Sequence, residues 1–132
     1  MIEPSEEKLN FKQYIPKSIH GIPIIRIRQE GIYFSASCKK YLQGKNYCEL
    51  FYDEKRKIIA IKPIQVETLK TLKISVGHNL NDKKICATGF LSEFGIVALL
   101  GLYKTGSKPK KFRATWNRKN KCFLVSLDGW EH

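Results

Sequence analysis

Two stretches of this chain fold back on themselves in the same way, and together they restrict it to a β-rich architecture. In the first, residues 47–52 (YCELFY) alternate in polarity, residues 53–57 (DEKRK) form a charged tip, and residues 58–61 (IIAI) return as a second strand that Pro63 closes. In the second, residues 112–116 (FRATW), a polar tip at 117–121 (NRKNK) and residues 122–127 (CFLVSL) repeat the plan. A lone hairpin has one apolar face and nothing to cover it, so it is marginal in water. Each hairpin therefore needs another layer.

The residues before each hairpin suggest what that layer is. Residues 24–28 (IIRIR) put Ile25 and Ile27 on one side and Arg26 and Arg28 on the other, the two-residue period of a half-buried strand. A turn at Gln29-Glu30-Gly31 leads into residues 32–34, and Ser35 is placed to cap a short helix. Within that helix Cys38, Tyr41 and Leu42 share one face, Lys39 and Lys40 lie outside, and Gly44 ends it. In the second half, residues 72–76 (LKISV) correspond to 24–28, a longer polar turn follows, and residues 85–87 correspond to 32–34. Thr88 takes the place of Ser35, with Leu91 and Phe94 in place of Cys38 and Tyr41. An insertion at 96–110 then lengthens the second helix with IVALLGLY and adds a flexible basic loop, KTGSKPK.

The expected fold class is thus β-rich α+β: a pseudo-two-fold barrel from two ββαββ units, about residues 22–63 and 72–127. Two such units can interlock where one cannot bury its own hairpin. Residues 1–18 are expected to form an N-terminal arm, and residues 19–132 a single barrel domain made of the two repeats. The core is expected to draw on Leu50, Ile59, Phe112, Ala114 or Trp116, and Phe123 or Val125.

Charge is the strongest global signal. Twenty-four Lys and Arg against 12 Asp and Glu give +12 over 132 residues, which attracts polyanions. No run of the sequence reaches the roughly 18 uninterrupted apolar residues of a membrane span. The first residues, MIEPSEEKLNFK, are acidic and polar rather than basic and then apolar, so a cytoplasmic protein is expected. Cys38, Cys48, Cys86 and Cys122 show no metal-binding or redox spacing and are expected to be buried apolar residues. His20, His78 and His132 have no nucleophile or acid beside them in a recognisable arrangement, and no glycine-rich phosphate loop follows a strand. No cofactor, metal or catalytic role is expected.

The cations fall into two groups. Arg26 and Arg28 project about 7 Å apart from one strand face, with Lys39 and Lys40 on the following helix. Lys104, Lys108, Lys110, Lys111, Arg113, Arg118, Lys119 and Lys121 form the second group, with no acid among them and with Tyr103, Phe112 and Trp116 interleaved. Basic residues among aromatics can grip a nucleic-acid backbone and stack on bases. Phe112 and Trp116 can equally face the core, and Arg26 and Arg28 can simply face water.

The first unit resembles the swapped-hairpin DNA-binding domains of the AbrB and SpoVT type, which include MazE-like antitoxins and the tandem-repeat MraZ regulators. The likeness rests on IIRIRQEG, a strand with arginines running into a glycine turn; on SASCKKYL, a short helix with a basic pair; and on YCELFYDEKRKIIAIKP, the closing hairpin. The resemblance implies an AbrB-like, double-psi-like barrel carried in one chain, with Arg26, Arg28, Lys39 and Lys40 near a DNA face and the segment from Lys104 to Lys121 adding phosphate contacts. It implies a prokaryotic transcriptional regulator, monomeric or homodimeric, that binds duplex DNA. The other readings are a basic RNA-binding or ribosome-associated protein and, further off, an antitoxin or protein-interaction module, for which no toxin-wrapping tail is expected after Leu127. The second helix, GFLSEFG, carries no basic pair.

Overall fold

The computed structural model describes residues 22–76, 83–102 and 108–129. Nine strands run through them: β1 (Ile24–Ile27), β2 (Gly31–Phe34), β3 (Tyr47–Asp53), β4 (Ile58–Ile64), β5 (Leu72–Val76), β6 (Lys83–Cys86), β7 (Lys110–Arg113), β8 (Thr115–Asn117) and β9 (Cys122–Ser126). A 3-10 turn (Ala36–Cys38) leads into α1 (Lys39–Leu42), while α2 (Thr88–Glu93) and α3 (Ile96–Leu99) lie between β6 and β7. The strand order is β7-β1-β2-β6-β5-β3-β4-β9-β8, with every pairing antiparallel. Since β7 and β8 are two pieces of one segment split at Ala114, the ends of that order lie together. The result is a nearly closed nine-strand antiparallel barrel with few helices.

Polarity alternation dictates which way each strand faces. Ile25 and Ile27 on β1, Ile59 and Ile61 on β4, and Phe123 and Val125 on β9 are all fully buried. They join one cluster with Phe34, Ile85, Leu91 and Phe112, while Leu50 and Trp116 pack against it half-buried. Full burial of such side chains stabilises by about 1.5–3 kcal/mol each. The cluster draws on both halves of the sequence, and Phe34 of β2 meets Phe123 of β9 with ring centroids 5.6 Å apart.

Aromatic rings pack α1 and α2 onto the strands. From α1, Tyr41 stacks on Trp116 at 4.5 Å, and Phe123 meets both in T-shaped contacts. On the other side Tyr52 of β3 packs against Phe94 at 5.5 Å and Phe90 at 6.4 Å. The two charged hairpin tips are also built alike. Asp53 Oδ1 accepts the backbone N–H of Arg56 at 3.0 Å, and Asn117 Oδ1 that of Asn120 at 2.9 Å. Each turn is then closed by a lysine in the left-handed region, Lys57 at φ 56° and Lys121 at φ 53°.

Several local expectations are corrected. β4 does not stop before Pro63 but runs through it, with Pro63 opposite Cys48. Its other neighbour, β9, pairs only as far as Ile61, so the missing N–H of Pro63 breaks no bond on that side. The expected strand 112–116 bends at Ala114, whose N–H reaches Pro23 O at 2.8 Å, and the bend lets one segment serve two neighbours. Ser35 does not cap the helix; its Oγ donates to Ile24 O at 2.9 Å and contacts Ser37 Oγ at 2.7 Å. Thr88 lies inside α2 and donates to Glu30 O at 3.2 Å. Both hydroxyls tie a helix start to β1 or its turn. The second helix is not lengthened either: Gly95 adopts φ 68°, a conformation costly for other residues, and the chain restarts as α3.

Candidate nucleic-acid interface

The outer face of the sheet β7-β1-β2-β6-β5 carries the first expected group of cations and collects others. Register places Lys111 opposite Arg26, Arg26 opposite Tyr33, Tyr33 opposite Lys84, and Lys84 opposite Ser75. These residues form one row across five hydrogen-bonded strands, stepped at about 4.8 Å. Arg26 and Lys111, directly opposite each other, are like charges at a spacing where such pairs destabilise. Among the described residues, neither Arg26, Lys84 nor Lys111 has an ion-pair partner. A polyanion would relieve that repulsion.

β2 and β6 come especially close two residues from Tyr33 and Lys84, where Gly31 pairs with Cys86. A Cβ on Gly31 would lie 2.5 Å from Ile85 O, so only glycine lets β2 and β6 approach there. Next to the row, the Arg28 guanidinium lies over the Tyr33 ring at 5.5 Å, and Tyr33 Oη donates to Glu30 Oε1 at 3.1 Å. Partial burial, then the bond to Glu30, raises the Tyr33 hydroxyl above its ordinary pKa. Tyr33 is thereby fixed with its ring between cations.

From this row the basic surface continues toward α1. Arg113 lies opposite Ile24, whose backbone N–H donates to Ser37 Oγ at 3.1 Å in the turn before the helix. Lys39 and Lys40 are exposed on α1, and Lys40 Nζ stands 5.0 Å from the centre of the Tyr41 ring. Tyr41 stacks on Trp116, which precedes the turn bearing exposed Arg118, Lys119 and Lys121. A chain of neighbours thus connects the strand row, the helix pair and the hairpin tip.

The expected residues are otherwise distributed as follows. Lys108 is exposed and Lys110 half-buried opposite Ile27. Lys104 and Tyr103 lie outside the described residues, as do the arm at 1–18 and the three histidines. Phe112 is fully buried and Trp116 turns inward onto Tyr41, so neither is a platform for bases. Lys84 and Tyr33 were not singled out from sequence, because their place in the row depends on pairing between β2 and β6, fifty residues apart. Cys86, expected to be buried, is exposed; it pairs with Gly31 on the outward side of β6.

Among the described residues no group of three His, Cys, Asp or Glu side chains could hold a metal ion, and no helix is long and apolar enough to cross a membrane. Beside α2 a recess of about 630 Å³ is lined by Leu50, Leu72, Phe90 and Phe94 with Lys70 and Glu93. Compared with protein-family models, curated proteins and solved structures, the chain matches none of them.

Proposed function

We propose that this protein binds duplex DNA as a cytoplasmic transcriptional regulator of the AbrB-like, swapped-hairpin kind, with its two ββαββ units related by an approximate two-fold axis. The strand order supports the symmetry, because exchanging β1 with β5, β2 with β6, β3 with β7/β8 and β4 with β9 reproduces it. The register agrees: Ile32 lies opposite Ile85 and Ala60 opposite Leu124, where second strands and last strands of the two units would meet on the axis. The aromatic contacts also fit a swap. Tyr41 from the first unit packs on Trp116 of the second, and Phe94 from the second packs on Tyr52 of the first.

The observation that carries the DNA reading is the row Lys111–Arg26–Tyr33–Lys84, where cations stand side by side on a regular sheet with no described carboxylate paired to Arg26, Lys84 or Lys111. A rigid lattice of this kind suits a regular array of phosphates. The test is anisotropy of a labelled random-sequence duplex, titrated at salt concentrations from roughly 50 to 200 mM. With about six phosphates neutralised, log affinity should fall against log salt with a slope near −5. Binding unaffected by salt would contradict the reading, and strong preference for a structured RNA competitor would replace duplex DNA with RNA.

A further inference from the structure

The row of cations has an internal order that a simple count of charges does not express. Lys111 and Lys84 are its outer members, three strand spacings apart, about 14 Å at the backbone. Arg26 and Tyr33 stand between them on the paired strands β1 and β2. The major groove of B-form DNA is about 12 Å wide, is bordered by phosphates, and admits a two-stranded β-ribbon. β1 and β2 are flanked by β7 and β6 and do not enter as a free ribbon would, but the outer lysines of the row span the groove and Arg26 lies between them.

The two arginines of β1 also differ in freedom. Arg28 is held over the Tyr33 ring, whereas Arg26 has no ion pair among the described residues. Arginine is the side chain suited to bidentate bonding with guanine O6 and N7. Lysine, a mobile point charge, suits a phosphate.

Resting on the duplex reading above, we infer that β1 and β2 face the major groove, with Arg26 directed at base edges and with Lys84 and Lys111 taking the phosphates on either side. Lys84 is then a DNA contact supplied by the second half of the chain, and the interface crosses from one hairpin to the other. The neighbouring helix pair Lys39 and Lys40 extends the phosphate contacts along one flank.

The test uses the full chain and two probes: a random-sequence duplex, and the duplex enriched by the wild-type protein from a random pool. K84Q and K111Q should each weaken binding to both probes by the same factor and reduce the magnitude of the salt slope by about 1. R26K should keep the slope and lose most of the preference for the enriched duplex, by roughly tenfold or more. If wild type shows the salt slope but K84Q retains wild-type affinity and slope, this inference fails while DNA binding stands. If wild type shows no salt-dependent binding at all, the reading beneath it fails. If R26K discriminates as well as wild type, Arg26 does not read bases and the placement of β1 is overturned. All three positions face outward on strands, so the substitutions leave the core intact, and a single cooperative thermal transition at or above the wild-type midpoint verifies that.

Discussion

Two rows of side chains run across opposite walls of this barrel, and they differ in kind. On one wall the row is Lys111, Arg26, Tyr33, Lys84. On the other, register aligns Phe51, Ala60, Leu124 and Thr115 across β3, β4, β9 and β8, with no charge among them and Phe51 52% exposed. Both rows sit over the same interior and satisfy the same backbone bonds, so folding imposes neither composition. The second wall has cations too, but Lys62 on its outer face lies opposite Glu49, so opposite charges meet there where like charges meet on the first. Placing Arg26 opposite Lys111 costs stability, a cost that the DNA proposed above would offset.

The largest expected effect concerns whether the two walls belong to one cooperative body. Phe123 is fully buried and touches Phe34 from the basic wall as well as Tyr41 and Trp116. Phe123→Ala should cost about 3–5 kcal/mol, with both walls lost in a single urea transition. Two separated transitions would mean that the walls are independent units and that their comparison has no common reference.

A middle-sized effect comes from the buried thiols, one near each wall. Burial pushes Cys38 up to about 11 and Cys48 up to about 12, with hydrogen bonds from Ser35 lowering the first in part and Glu49 raising the second further. Unfolded thiols lose their protons from about pH 8.5. Between there and the native values the folded state binds more protons, so stability is complete below about pH 8.5 and declines as pH rises toward 11–12. At pH 10 the loss should be about 1–2 kcal/mol per thiol, read from urea unfolding at pH 8 and 10. Cys48→Ala should flatten that slope, and an unchanged slope would show that Cys48 is not buried as described.

The smallest effect is the most specific to the basic row. Lys111→Gln removes a like charge opposite Arg26 and should stabilise the free protein by about 0.2–1 kcal/mol. Thr115→Gln on the other wall should do nothing of the kind. If Lys111→Gln destabilises, the cations are not in conflict and the argument from repulsion is lost.

How much of this could be read in the sequence depends on the distance over which each feature is determined. Strands β3, β4, β5 and β9 follow from local alternation, and the two tips from Asp53 and Asn117, whose side chains bond backbone three residues ahead. Ser35 and Thr88 were legible as polar residues before helices, but their partners, Ile24 O and Glu30 O, come from other elements. The strand through Pro63 was missed because a proline is tolerated only where one neighbour is absent, and sequence does not display neighbours. The same holds for the interface. Arg26 and Lys111 were identifiable as basic residues on strands, yet that they face each other, and that Lys84 joins them, is a matter of register between distant segments.

The most direct test of the account is a backbone amide NMR titration of the whole chain with duplex DNA. The account predicts that shifts concentrate at Arg26, Tyr33, Lys84 and Lys111 and at Lys39 and Lys40, while Phe51, Ala60 and Leu124 remain unperturbed. Shifts centred on Phe51, Ala60 and Leu124, or spread evenly over both walls, would contradict it.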